Sequence, residues 1–311
     1  MNGKSDTLSA DRGNRWGIGF FRLLVKCGGF GPAVWFSRIV AWFYARFDRK
    51  AFAVSEEYLK LRFPEDAGDP RKMRRHFHKL LCELAKALLV SYRMGNGGEL
   101  PLLEEGAEHL PPAGGGVVAV FAHHDCWQAA MEVLNRRSDR VINIMARPDR
   151  NGNFDKFLAL HDRRNFNVIS TDGFSGGLVE AGAALERGEA VIIMGDRPVP
   201  GAADVEVDYL GGRIRIPLSP WMLAARCEVP AVPVFAELRE KPRRIVVKYL
   251  RPITFKAAEG RRVRPDELKD GVAEYAKALE DAAMRHPYRV FRFGDAPAPG
   301  DEKKRSERPT G

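Results

Sequence analysis

The chain has 311 residues, 45% of them hydrophobic, with a formal net charge of +9 at pH 7, so it can bury a substantial core as one large domain or two modest ones. The basic excess predicts an anionic partner, and nucleic acid, an acidic membrane surface and an acidic carrier protein all fit. The four cysteines are widely spaced, which argues against a disulfide scaffold or structural zinc site and favours a reducing cytosolic setting.

The N-terminus is predicted as a polar tail over residues 1–14 and a helical, membrane-associating region over 15–98. The tail lacks the apolar core and cleavage site of a signal peptide. From Trp16 to Phe47, aromatic residues are interleaved with basic ones, as in helices that lie in the headgroup layer. No uncharged apolar run approaches the roughly 20 residues that cross a bilayer. We therefore expect contact with a membrane surface. The alternative is a pair of core helices joined by a turn at Gly28–Pro32.

The rest of the chain alternates between strand and helix patterns, which predicts an α/β fold: a mixed, largely parallel sheet flanked by helices. An amphipathic helix around residues 77–88 comes first, and a Pro/Gly-bearing connector follows over 99–116. The α/β domain is predicted over 99–295, with a final helix at 272–284 and a disordered tail at 296–311. Apolar strand patterns lie at 117–121, 141–145, 168–170, 190–194, 231–235 and 245–249.

One strand-to-helix junction concentrates potential chemistry. The apolar run Val117–Phe121 ends at His123, His124 and Asp125, and a helix-compatible segment with Gln128 follows. In α/β proteins, such junctions lie where ligands bind. Histidine suits proton removal from a hydroxyl, because it changes charge near neutral pH.

The junction has a structural interpretation as well. Asp125 and Gln128 fit a helix capping box, with Asp125 at the N-cap and Gln128 at N3. Helical spacing places His124, not His123, on the same face as Gln128. Spacing alone would therefore choose His124 as the catalytic histidine.

Other conspicuous residues carry less weight. The pair His76 and His78 beside arginines is expected to form an exposed basic helix face, and we expect no metal site. The glycines near 173–177 match no nucleotide-binding pattern. The basic residues form no motif that reads nucleic acid, so no nucleic-acid partner is expected.

Taken in order, several segments resemble the lysophospholipid acyltransferase superfamily, and more closely the bacterial lipid A late acyltransferases. His123 followed five residues later by Gln128 is similar to the His-x4-Asp/Glu signature of the superfamily. The resemblance covers about residues 15–294. The other segments that carry it are Met145–Asn151, Ile193–Arg197, Leu210–Ala224, Val229–Val234 and His286–Phe291.

The resemblance implies that His123 is a general base oriented by a carboxylate five residues on. Here that position holds Gln128, which can fix the ring tautomer but cannot stabilise an imidazolium with a full charge. The expectation is a weaker base, a substitute carboxylate, or no catalysis. Asp125 is the nearest candidate substitute, so we expect the catalytic group to comprise His123, Gln128 and Asp125.

The resemblance also implies an activity and a location. We expect transfer of a fatty acyl chain from acyl carrier protein or acyl-coenzyme A to a hydroxyl or amine of a membrane lipid or glycolipid. No cofactor is expected beyond that thioester co-substrate. The expected location is the cytoplasmic face of a bacterial inner membrane, peripheral or monotopic. A non-catalytic relative that binds a lipid or acyl carrier is the alternative, motivated by Gln128. Expected substrate-binding residues are Arg147, Asn151, Arg164, Asp196 and Arg197.

Overall fold

A computed structural model describes residues 30–95, 100–131, 140–147, 166–172, 175–198, 202–255 and 263–292. The chain begins with three helices, α1 (Phe30–Phe47), α2 (Arg49–Arg62) and α3 (Pro70–Gly95). The Asp48 side chain separates the first two, because it accepts a hydrogen bond from the Ala51 amide at 3.0 Å and so caps the start of α2. Helix α1 packs along α3.

The centre of the fold is a seven-stranded sheet with the order β1-β9-β8-β2-β5-β3-β4. All neighbouring pairs in it are parallel except β8 with β9, which confirms the predicted mixed, largely parallel sheet. Strands β6 and β7 form a separate antiparallel hairpin. The strands are β1 (Leu102–Glu105), β2 (Val117–Phe121), β3 (Ile142–Ala146), β4 (Phe166–Ser170), β5 (Ala190–Met194), β6 (Asp204–Tyr209), β7 (Gly212–Pro217), β8 (Ala231–Glu240) and β9 (Arg243–Tyr249).

Helices cover both faces of the sheet. The later ones are α4 (Leu178–Glu186), α5 (Ser219–Arg226) and α6 (Lys269–Arg285), and a helical turn occupies 127–131. Along β2, Val118 and Val120 join one hydrophobic cluster, while Val117, Ala119 and Phe121 join the other. A strand buried on both faces must be apolar throughout, which explains the unbroken run in the sequence.

Helix α5, strand β1 and the β6–β7 hairpin are elements that the sequence patterns did not predict. Strand β1 lies within the connector predicted over 99–116, and the β6–β7 hairpin precedes α5. The hairpin turns at Leu210 and Gly211, both with positive φ. That conformation is typical of a type I′ turn.

The N-terminal helices show one face to the core and another to solvent. Ala33, Ala41 and Ala45 of α1 are buried, whereas Trp35 and Trp42 are 64% and 57% exposed. Across the described ranges, no helix combines the length and apolar character needed to cross a membrane. The predicted turn at Gly28–Pro32 falls partly outside the described residues, and α1 already begins at Phe30.

Candidate active site

Two strand ends bring a histidine and a carboxylate together. His123 follows β2 and Asp196 follows β5, and these strands are parallel neighbours, so both residues lie at the same carboxyl edge of the sheet. His123 Nδ1 is 2.9 Å from Asp196 Oδ1, and the His123 backbone N–H donates to Asp196 Oδ2 at 3.0 Å. One carboxylate therefore holds both the ring and the backbone of His123.

The strand ends that carry this pair are tightly joined. The Gly195 amide donates to the Phe121 carbonyl at 2.8 Å, and the buried Tyr275 hydroxyl donates to the same oxygen at 3.0 Å. A Cβ at Gly195 would lie 2.4 Å from Cγ1 of Val120, so only glycine fits there without a shift. This close approach sets the separation of the β2 and β5 ends, and with it the geometry of the histidine and carboxylate.

Asp196 is ionised in this setting. Burial by itself would raise its pKa, but the charge and hydrogen bond of His123, followed by the charges of Arg197 and Arg292, hold that pKa well below its usual range. An ionised carboxylate only accepts hydrogen bonds, so Nδ1 of His123 is the donor, and in the neutral tautomer that this bond selects the lone pair lies on Nε2. The imidazole is 21% exposed, whereas Asp196 is 1% exposed. The arrangement can accept a proton at Nε2 and stabilise the resulting imidazolium.

Asp196 takes the position beside His123 that the sequence analysis gave to Gln128 or Asp125. Within the described residues, no hydrogen bond joins the His123 ring to Gln128. Asp125 is also directed elsewhere, because its Oδ2 accepts from the Leu238 amide at 2.9 Å and from Arg289 at 2.8 Å. The expectation that Asp125 substitutes as the partner carboxylate is therefore corrected: these bonds tie it to β8 and to the C-terminal segment.

The predicted capping box does not form at Asp125. Its φ is +46°, a left-handed conformation that aspartate tolerates better than most residues, and the helical turn begins only at Trp127. The Asp125 side chain is committed to Leu238 and Arg289 rather than to the amides of the following turn. Asp125 thus stabilises the loop that carries the histidines.

His124 is a buried core residue, so the structure distinguishes it from its neighbour. Its Nδ1 donates to the Ala236 carbonyl at 3.3 Å, and its ring packs edge-on against Phe235. Burial lowers the pKa of His124 to about 4. The charge of Glu237 and the hydrogen bond to Ala236 oppose that shift, whereas the charges of His286 and Arg289 add to it. His124 is therefore neutral in the folded protein, and of the two it is His123 that meets a carboxylate at the sheet edge.

The lowered pKa makes folding stability depend on His124 in acid. The pKa of a histidine in the unfolded chain is about 6.5, whereas the pKa of folded His124 is about 4. Between these two pH values the unfolded state therefore binds a proton that the folded state does not bind. Acidification from pH 7 to 5 should then cost about 2 kcal/mol of unfolding free energy through this residue. Burial raises the pKa of Asp125 to about 6, which acts in the opposite direction over an overlapping range. Urea unfolding of wild type and His124→Gln at both pH values isolates the histidine, and equal pH dependence would contradict the assignment.

The cations singled out in the sequence have different surroundings. Arg147 follows β3 at the same sheet edge and is exposed, with its Nε 3.7 Å from Asp172 in a solvated pair. Arg197 donates to the Phe291 carbonyl and contributes charge next to Asp196. Asn151 and Arg164 lie outside the described residues. Their binding roles, like those of the two arginines, stay predictions.

The expectation of an exposed basic face at His76 is wrong. The His76 ring is hydrogen-bonded to Asp66 at 2.9 Å and to the Tyr288 hydroxyl at 2.8 Å, and it stacks on Phe63. Within the part of the chain that the structure describes, no group of three His, Cys, Asp or Glu side chains is arranged to hold a metal ion.

Sequence reasoning missed the charged residues of the C-terminal segment. Arg289 bonds Glu83, Asp125 and the Leu238 carbonyl, and Arg292 is buried where its charge acts on Asp196. The available signal was the segment His286–Phe291 itself, which carries ionisable residues in an apolar surrounding. Its pattern has no helical or strand period, so nothing indicated where those charges pointed.

The fold and site define the class of protein: an α/β protein with a histidine and a buried carboxylate at the carboxyl edge of its sheet. The chain belongs to the bacterial lipid A biosynthesis acyltransferase family, whose model matches residues 11–289. It is accordingly an acyltransferase of lipid biosynthesis, as the resemblance implied.

A solved structure is also similar. The crystal structure of the 1-acyl-sn-glycerophosphate acyltransferase PlsC from Thermotoga maritima is 16% identical, with a TM-score of 0.37, over 78% of this chain and 96% of that one. None of the curated proteins compared with the chain matches it. The family assignment rests on the match over residues 11–289.

Proposed function

We propose that the protein transfers a fatty acyl chain from the thioester of acyl carrier protein or coenzyme A to a hydroxyl or amine of a membrane lipid or glycolipid. His123 is the general base and Asp196 is its orienting carboxylate. The observation that carries the proposal is the double contact of Asp196 with the ring and backbone of His123. With this carboxylate present, Gln128 no longer argues for a non-catalytic relative.

The chemistry follows from the state of the ring. Nε2 of His123 takes the proton of the acceptor hydroxyl or amine as the acceptor atom attacks the thioester carbonyl carbon. The carbon–sulfur bond of the tetrahedral intermediate then breaks, and the departing thiolate receives the proton from the imidazolium. Asp196 stabilises that imidazolium through its bond to Nδ1, as the carboxylate of a hydrolase triad does. No group changes its oxidation state in these steps.

In this proposal both substrates bind along the carboxyl edge of the sheet. The β2, β5, β3 and β4 ends lie in that order, and adjacent strands are about 4.8 Å apart. Arg147, at the end of β3, is thus two strands or roughly 10 Å along the edge from the end of β2. We assign Arg147 to an anionic group of the lipid acceptor or the acyl donor, and Arg197 to supporting Asp196 and the C-terminal segment.

In this proposal the protein binds the membrane surface through α1 and so reaches its lipid acceptor. Trp35, Ile39 and Trp42 lie on one face of this helix at spacings of four and three residues, and all are exposed. Arg46 continues that face toward the start of α2, where Arg49 begins a second basic helix. Exposed aromatic and basic side chains on one helix suit the headgroup layer of an anionic bilayer.

Vesicle binding tests this placement. The full-length protein should float with vesicles containing anionic lipid, and salt should weaken but not abolish the association, because each basic residue near the surface contributes only about 1 kcal/mol of screenable attraction. Trp42→Glu should reduce binding at least tenfold. The control is Val179→Glu, a matched change at a position that is 71% exposed on α4. Equal binding by both variants, or a wild type that stays unbound at low salt, would contradict the placement.

The activity is tested with radiolabelled fatty acyl–acyl carrier protein and, separately, fatty acyl–coenzyme A. Each is incubated with the purified protein and a native bacterial lipid extract, and the lipids are then separated. We expect label to move into a lipid with at least one donor, and alkaline release of the label as a fatty acid distinguishes an ester from an amide. Failure to label any lipid with either donor would favour the binding relative.

A further inference from the structure

The C-terminal segment, residues 286–292, lies between the N-terminal helices and the loop that carries His123. On the helix side, Tyr58 of α2 donates to the Pro287 carbonyl at 2.6 Å, and His76 of α3 meets the Tyr288 hydroxyl at 2.8 Å. Arg289 Nε donates to Glu83 of α3 at 2.9 Å. Three consecutive residues of the segment are therefore fastened to α2 and α3.

The opposite side of the same segment holds the backbone around the base. The Phe291 amide donates to the His123 carbonyl at 2.7 Å, and the Asp125 amide donates to the Arg289 carbonyl at 2.8 Å. His124 and Val290 form an antiparallel bridge between these two bonds. The loop from His123 to Asp125 is thus paired residue by residue with the segment.

Arg289 connects the two sides through its side chain. Its guanidinium bonds Glu83 through Nε, and through one terminal nitrogen it bonds Asp125 at 2.8 Å and the Leu238 carbonyl at 2.9 Å. The planar fork of arginine can satisfy these acceptors in fixed directions, which a lysine cannot do. Asp125 has a φ of +46°, a conformation that persists only where the surroundings hold it.

We infer that Arg289 is a positioning residue for His123, tying α3 through Glu83 to the loop on which the base is mounted. The inference rests on the proposed function of His123 as the base. Arg289 acts only through that loop, and the N-terminal helices thereby contribute to the geometry of the chemical step. Displacement of a reacting group by about 1 Å costs on the order of 100-fold in rate, so partial loss of this connection should be measurable.

Glu83→Gln is the main test, because it removes the negative charge of the distant partner, and with it the salt bridge to Arg289, while the buried pair of Arg289 with Asp125 stays intact. We expect kcat for acyl transfer from radiolabelled acyl–acyl carrier protein to fall about 5- to 20-fold, with KM for the donor changed less than twofold. In Arg289→Lys, kcat should fall further, because lysine keeps the positive charge but lacks the planar guanidinium that bonds several acceptors at once. The matched control is Glu56→Gln, the same change in an exposed pair with Lys60 on α2, and it should behave as wild type.

A second readout does not depend on turnover. In labelled full-length protein, NMR reports the proton on Nδ1 of His123, and Glu83→Gln should shift this resonance while Glu56→Gln leaves it in place. If wild type transfers acyl groups and Glu83→Gln matches the control in both kcat and resonance, the positioning role is overturned and the proposed function stands. If wild type transfers nothing, the proposed function fails, and the resonance alone decides whether Glu83 and Arg289 position the ring.

Discussion

His123→Ala is expected to abolish acyl transfer in a protein that still folds. General base catalysis contributes about 10²- to 10⁴-fold, and acyl transfer also loses the proton donor to the departing thiolate. In this variant Asp196 still accepts a hydrogen bond from the backbone amide of residue 123 and still interacts with the charges of Arg197 and Arg292. Removing the ring should therefore lower the free energy of unfolding by only about 1–3 kcal/mol. The rate is measured with the radiolabelled donor and lipid extract, alongside circular dichroism and thermal unfolding.

Two companion variants make the result specific. His123→Gln retains a side chain that can donate to Asp196 but provides no base, so it should be as inactive as the alanine variant. His109→Ala removes a histidine that bonds the Tyr249 carbonyl beyond β1, and it should keep wild-type activity. Substantial transfer by folded His123→Ala would remove His123 from the mechanism.

Asp196→Asn should have the next largest effect. The amide preserves shape but cannot stabilise the imidazolium, and its own N–H groups favour the wrong ring tautomer. By analogy with the carboxylate of hydrolase triads, we expect kcat to fall by about 10²- to 10⁴-fold, which corresponds to roughly 2.7–5.5 kcal/mol of transition-state free energy. Donor KM should change little, because Asp196 is buried behind His123.

Gln128→Glu provides the opposing comparison. If Gln128 were the missing orienting residue, restoring a carboxylate there would raise the rate. With Asp196 already bonded to Nδ1, a second carboxylate should be neutral or harmful through like-charge repulsion. A Gln128→Glu variant faster than wild type, together with an active Asp196→Asn, would show that the orienting carboxylate belongs at position 128 and not at Asp196.

The sequence predicted the parts of the fold that burial dictates. Val117–Phe121 and Ala190–Met194 were found with their observed bounds, since strands buried on both faces must be apolar throughout. The β6–β7 hairpin was missed because its turn is Leu210-Gly211. Hairpin turns of this type are usually marked by Asn-Gly or Asp-Gly, and a leucine with positive φ gives no such signal.

The sequence singled out both residues of the observed pair but did not predict that they bond to each other. His123 and Asp196 were both identified, yet the carboxylate role went to positions 125 and 128, because the spacing of the family signature is local in sequence. The contact that forms joins residues 73 apart. It depends on β2 and β5 being neighbours, and an alternation of strands and helices does not fix strand order. The role of Arg289 was missed for a related reason, because its three partners lie far apart in the sequence. They are Glu83 on α3, Asp125 in the loop that carries His123, and Leu238 on β8.

The most direct test of the pairing of His123 with Asp196 is an NMR measurement of the His123 ring in protein labelled with nitrogen-15. We predict that in the neutral ring the proton resides on Nδ1 and Nε2 is unprotonated. We also predict that the Nδ1 proton resonance moves strongly in Asp196→Asn and stays near its wild-type position in Gln128→Glu. A neutral ring whose single proton lies on Nε2 in wild type, or a resonance that responds to Gln128→Glu and not to Asp196→Asn, would contradict this account.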